Sequence, residues 1–148
     1  MTRLTWYEVA PEAAKVVGGL YNHVSKGSAL PEELVHLVFL RASQINACAH
    51  CIDKHTRDLR KTMTVEKIAL VSVWHEVPQL FSYSEKAALA WTEEVTHLSQ
   101  THASDEAYQA VAAVFGPKEL VDLTVAIATI NAVNRLGSPF RLPVAARS

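Results

Sequence analysis

Apolar residues return every three or four positions along most of the chain, and no stretch between turn signals alternates with period two. The pattern predicts helices throughout. PEAAKVVGGLYNHVSK (11–26) carries Pro11 in its first turn and ends at Gly27. PEELVHLVFLRASQINA (31–47) is apolar around most of its circumference, which predicts a buried central helix. CAHCIDKHTRDLRK (48–61) is amphipathic, and a bend at Asn46–Ala47 would put Cys48 in the first turn of a new helix. Thr64 can cap TVEKIALVSVWH (64–75), with Pro78 forbidding its continuation. Ser82 and Glu85 form a capping-box pattern ahead of KAALAWTEEVTHLSQ. Ser104, Asp105 and Glu106 start a helix that reaches Phe115. KELVDLTVAIATINAVNRL (118–136) is long and apolar and is closed by Gly137 and Pro139. The expectation is an all-α bundle of about six to seven helices, built as one domain over residues 1–148.

Composition adds a further expectation. The chain is 49% hydrophobic and 20% charged, with a mean hydropathy of +0.08. That is slightly apolar for a small domain and points to a subunit interface. No run reaches the roughly 18 apolar residues of a membrane span. The polar start MTRLTWYEVAPE does not read as a signal peptide, so a cytoplasmic protein is expected. With a net charge of −1, the nearest thing to a basic patch is KHTRDLRK (54–61), interrupted by Asp58. Neither nucleic acid nor membrane is an expected partner.

The chemistry concentrates in NACAHCIDKHT (46–56), which holds the chain's two cysteines and two of its seven histidines. On a helix, Cys48 and Cys51 (i, i+3) meet across one turn, and Cys51 and His55 (i, i+4) share a face. Unpaired N–H groups in a first turn favour thiolate at Cys48, whereas the His55 spacing favours it at Cys51. Lowering a thiol from ~8.5 to ~6.5 raises its thiolate fraction at pH 7 from roughly 3% to about 75%. The gain is offset in part because nucleophilicity falls with pKa. A peroxidase also needs a proton donor for the leaving group, and His50 or His55 could serve. Two other readings stand beside the dithiol: a pair of buried, inert thiols, and a zinc site with His36 as a fourth ligand. Three ligands along two turns of one helix make a poor tetrahedron, so no metal and no cofactor is expected.

LVFLRASQINACAHCIDKHTRDLRK, with the later KAALAWTEEVTHLS and ATINAVNRLG, resembles the alkylhydroperoxidase D family of the carboxymuconolactone decarboxylase superfamily over about residues 30–137. The resemblance is most specific in SQINACAHCIDKHT. It implies an all-helical subunit assembling into trimers or hexamers. It also implies a thiol-dependent peroxidase or disulfide oxidoreductase acting on hydrogen peroxide or alkyl hydroperoxides in antioxidant defence. The reductant would be an external dithiol such as a dihydrolipoyl protein, or electrons would pass to a peroxiredoxin. By this resemblance Cys51 attacks peroxide, Cys48 resolves, His55 activates Cys51 and His50 joins the proton relay. Twelve residues before Cys48 the family usually has a glutamate; this chain has His36, with Glu32 and Glu33 expected to point elsewhere. A histidine can pass a proton at neutral pH but supplies no fixed negative charge, so a weakened relay through His36 and simple packing of His36 are both open. A lactone decarboxylase of the same superfamily would not need the C-x-x-C. A non-catalytic redox sensor or metal-binding module is the remaining alternative.

Other residues invite structural roles. Trp74, Trp91 and Tyr83 read as core or interface, and His23, His75, His97 and His102 as surface, capping or structural positions. Asn131, Asn134 and Arg135 lie on one face of an apolar helix, where buried polar groups need partners. They are expected near the site or at a subunit contact.

Overall fold

The structure is a computed structural model and describes residues 1–145. Among these residues it holds nine α-helices, two short 3₁₀ segments and no strand. In order they are α1 (Trp6–Val9), α2 (Pro11–Lys26), α3 (Glu32–Ile45), α4 (Ala49–Leu59), α5 (Val65–Ala69), α6 (Tyr83–Thr96), α7 (Leu98–Thr101), α8 (Asp105–Ala112) and α9 (Pro117–Gly137). Six of them have eight residues or more, which agrees with the number of helices read from the periodicity.

The central position of α3 follows from its composition. Nine of its 14 residues are buried, and α4, α6 and α9 pack around it. Leu37, Val38, Phe39 and Leu40 meet Leu89 of α6 and Leu123, Ile127 and Ile130 of α9 in the core. Pro117 opens α9 at a first-turn position, where its missing N–H costs nothing. By length and composition α9 could cross a membrane; here it lies against α2, α3 and α6.

The caps are where the sequence places them. Ser82 Oγ accepts the Glu85 N–H at 3.1 Å, and Glu85 Oε2 accepts the Ser82 N–H at 2.8 Å. Thr64 and Ser104 accept from Lys67 and Ala107 in the same way. The expected helix over 64–75 is the exception. It stops at Ala69, and Val71–Glu76 continues as a 3₁₀ segment kinked at Val73 (φ −124°). The tighter turn eclipses residues three apart. It buries Val71 and Trp74 together and lets Trp74 Nε1–H donate to Glu93 at 2.9 Å.

Between α3 and α4 the chain bends at Asn46–Ala47 as the pattern predicts, and Ala47 takes a left-handed conformation (φ 53°). For a residue with a Cβ this costs on the order of 1–2 kcal/mol. The bend is held by its neighbours: Cys48 N–H donates to Ser43 O at 3.0 Å, and Ser138 Oγ–H donates to Ala47 O at 3.2 Å. This turn sets where the first cysteine stands.

Candidate active site

Cys48 is the N-cap of α4 and Cys51 lies one turn into it; both thiols are free and buried. What covers them is α9. A Cβ added to Gly137 would sit 2.8 Å from Cys48 Sγ and 3.4 Å from Cys51 Sγ. Only a residue without a side chain lets that helix end so close to both sulfurs. The chain then continues over the site, with His50 Nδ1–H donating to Pro143 O and Ala145 N–H donating to Asp53 Oδ2 at 3.2 Å. Gly137 had read only as a helix stop.

The polar groups beside the sulfurs come from α3 and α9. Asn134, 1% exposed, donates to Ser43 Oγ at 3.0 Å and accepts from Asn46 Nδ2 at 2.9 Å. Asn46 also donates to Asn131 Oδ1 at 2.9 Å, and Arg135 donates to the same oxygen at 3.0 Å. Of the three α9 residues expected near the site or at a subunit contact, Asn134 reaches the thiols, Asn131 joins it through Asn46, and Arg135 is exposed and bonds to Asn131.

The two thiols differ in acidity. A hydrogen bond from the Cys51 thiol lowers Cys48 to about 6 against the opposing effect of burial, helped by the Cys51 N–H, Asn134 and His50. Cys51 is pushed well up, because its proton is held between the two sulfurs and because it is buried beside the Cys48 charge. At neutral pH the pair therefore carries one proton, with the negative charge favoured on Cys48. The reading that a helix start favours thiolate at Cys48 agrees with this, and the His55 spacing does not make Cys51 the more acidic thiol.

Access is divided the other way. A cavity of about 270 Å³ is lined by Cys51, His50, His55, Lys54, Tyr21 and Gly137, among others, and Cys48 is not on its wall. A larger cavity, about 530 Å³ between α6 and α8, holds no cysteine.

His55 is 1% exposed and packs against both Phe39 and Tyr21, with ring centroids 5.0 and 6.1 Å away. Burial, with the nearby Lys54 and His36, lowers it to about 3, so it is a neutral imidazole at neutral pH. His36 is also buried, its ring 5.6 Å from that of His55, and burial lowers its pKa despite the nearby Asp58 and Glu32. Glu32 does not point elsewhere as expected: its Oε1 lies 3.5 Å from His36 Nε2, because i and i+4 share a face. Asp58 went unrecognised in the sequence. Its Oδ2 stands 3.7 Å from His36 Nδ1 and 3.9 Å from His55 Nδ1. The spacing from His55 (i, i+3) was its only signal. Donor atoms of His36, His55 and Asp58 lie within 4.8 Å of one another. The site thus brings Cys48, Cys51, His50 and His55 together along α4, with the thiols at its start and His55 further on, and His36 joins through His55.

The remaining candidates stand apart. His75 lies tilted against Trp74 and meets Glu93 at 3.1 Å, and His102 takes the left-handed C-cap of α7. Trp91 is core, donating to Thr124, while Tyr83 is exposed in the single subunit.

Fold and dithiol together define a class, and the chain belongs to it: the carboxymuconolactone decarboxylase family, whose model matches residues 11–94. Within that family it is AhpD-like. It is 38% identical, with a TM-score of 0.95, to the crystal structure of a protein of unknown function from Agrobacterium tumefaciens, regarded there as an antioxidant defence protein AhpD; the match covers 99% of this chain and all of that one. The uncharacterized protein YdfG of Bacillus subtilis (strain 168) is 36% identical over 135 residues, 90% of each chain. The fold is shared more widely: the debrominase Bmp8 superposes with a TM-score of 0.79 at 19% identity, over 94% of this chain and 74% of that one.

Proposed function

We propose that the protein is a thiol-dependent peroxidase that reduces hydrogen peroxide or alkyl hydroperoxides through the Cys48–Cys51 pair. The observation that carries this reading is the thiol pair itself: two free, buried cysteines within hydrogen-bonding reach of each other, with Cys51 and not Cys48 on the wall of the 270 Å³ cavity. Moving the shared proton to Cys48 leaves Cys51 as thiolate facing the cavity. Its sulfur attacks a peroxide oxygen, the O–O bond breaks, and the alcohol departs once protonated. The Cys51 sulfenic acid condenses with Cys48, releasing water and forming the disulfide. His55 and His50, both on the cavity wall, manage the proton, and His36 stands behind His55.

An external dithiol then restores the pair, with a dihydrolipoyl group the expected donor and relay to a peroxiredoxin the alternative. The proposal places the enzyme in the reducing cytoplasm, where the dithiol resets. It also makes it a trimer or hexamer, which would cover exposed apolar residues such as Val16, Tyr83 and Tyr108.

The test is steady-state peroxide consumption with dihydrolipoamide as reductant. Turnover by the wild type and none by Cys51→Ser supports the proposal. Equal, slow consumption by both would overturn it.

A further inference from the structure

The proposed cycle has a proton balance that the dithiol alone does not close. At neutral pH the pair holds one proton. Attack by Cys51 forms an S–O bond, breaks O–O and leaves an alkoxide, or hydroxide from hydrogen peroxide, that needs one proton. When Cys48 then attacks the sulfenic sulfur, its own thiol proton converts the displaced hydroxide to water. The sulfurs lose two electrons and the peroxide gains them, so each oxidation draws one proton from outside. The reducing half-reaction returns it: an external dithiol gives up two electrons and two protons, of which the pair keeps one.

That proton has a marked crossing point. His55 lines the dithiol cavity but is sealed from solvent, and its Nδ1 has no hydrogen-bond partner. His36 Nδ1 is likewise buried and without one. Both atoms face the same carboxylate oxygen, Asp58 Oδ2, at 3.9 and 3.7 Å. Buried polar atoms left unpaired cost ~1–3 kcal/mol each, and two of them aimed at one acceptor mark a place where protons can be taken up. On the other side lies a second cavity of about 290 Å³, lined by Glu32, Glu33, His36, Asp58 and Lys61. Neither cysteine lines it.

We propose that this second cavity is the proton inlet of the enzyme, and that Asp58 is the positioning residue that aligns His36 and His55 for the transfer. The inference rests on the peroxidase reading. His55 gives up the proton of its other ring nitrogen toward the dithiol as its Nδ1 takes the proton that His36 passes on from the second cavity, with Asp58 between the two rings. A resting imidazolium is not required, and with a pKa of about 3 it would amount to only ~10⁻⁴ of the molecules at pH 7. The groups facing the cluster set the charge. Glu32 approaches from α3, Lys54 of α4 and Lys61 of the turn after it hold Asp58, and the Tyr21 ring stacks on His55 from α2. His50 and the thiols lie on the dithiol side. Lys54, His36 and Lys61 keep Asp58 ionised although burial acts against it.

The experiment is single-turnover loss of thiols after mixing the reduced protein with hydrogen peroxide, in H₂O and in D₂O, between pH 6 and 8. Asp58→Asn is expected to slow oxidation about ten- to a hundred-fold and to enlarge the solvent isotope effect, with Asp58→Glu restoring most of the rate. His36→Gln should slow it similarly and add little to Asp58→Asn. Asp58→Asn and His36→Gln proteins that are folded by circular dichroism and oxidise at the wild-type rate and isotope effect would overturn the inlet while leaving the dithiol chemistry intact. Wild-type protein that keeps both thiols would instead overturn the peroxidase reading, and the inlet with it.

Discussion

The two ends of α4 handle buried polarity in opposite ways. At the start of the helix almost every polar group is paired. Asn134, Ser43 and Asn46 form a closed hydrogen-bonded set, the Ala47 bend is tied at both sides, and Gly137 brings α9 down onto the sulfurs. One turn and more further on, His36 and His55 keep unpaired ring nitrogens beside Asp58. The satisfied end fixes distances, which a thiol pair sharing one proton needs. The unsatisfied end leaves protons a choice of partner, which a relay needs. A single 11-residue helix carries both.

The sharpest break of this comparison is at the sulfurs. Cys48→Ser should still lose the Cys51 thiol to peroxide but form no intramolecular disulfide, so turnover falls to background. Mass spectrometry of the oxidised variant would show the sulfenic acid or an adduct of it. Next comes His55→Ala, expected to slow thiol oxidation by ~10²-fold or more, measured by stopped flow. A rate within twofold of wild type would remove His55 from the mechanism.

Gly137→Val tests the tight end by geometry. A side chain meeting Cys48 Sγ at 2.8 Å must push α9 or the sulfur aside. Overpacking of this kind costs about 1–3 kcal/mol, readable as a lower urea midpoint together with slower disulfide formation. Asn134→Ala should be of similar size in stability, ~1–3 kcal/mol, because Asn46 and Ser43 lose a buried partner. It should also raise the Cys48 pKa, since the amide is one of the groups that lowers it.

The pH dependence is the mildest prediction. Cys48 sits near 6, below the ordinary thiol range, because Cys51 donates to it. Above that value the pair has released one proton and can attack; below it both sulfurs are protonated. The rate of thiol oxidation should therefore fall as pH drops through about 6, and in Cys51→Ala, which removes the donor, the Cys48 titration should move upward. Absorbance at 240 nm follows thiolate directly.

Much of this was legible in the sequence. Apolar periodicity gave the central helix, and cap residues such as Ser82, Thr64 and Ser104 gave the starts of α6, α5 and α8. The C-x-x-C-x-x-x-H spacing marked the dithiol end, and polar residues in an apolar helix pointed to Asn134. What stayed hidden depended on contacts between distant segments. Gly137 looked like punctuation because nothing local reveals that two sulfurs lie beneath it. Asp58 looked like one charge in a solvated basic face, since its meaning comes from His36 on another helix. The helix over 64–75 broke because burying Val71 with Trp74 favoured a tighter turn over continued α-helical spacing.

The most direct measurement counts thiols and masses on reduced protein before and after one equivalent of hydrogen peroxide, with zinc determined on the same sample. The account predicts two thiols lost together, a mass decrease of about two hydrogens corresponding to one Cys48–Cys51 disulfide, full recovery with dihydrolipoamide, and no zinc. Thiols that survive peroxide, or zinc at one per chain, would contradict it.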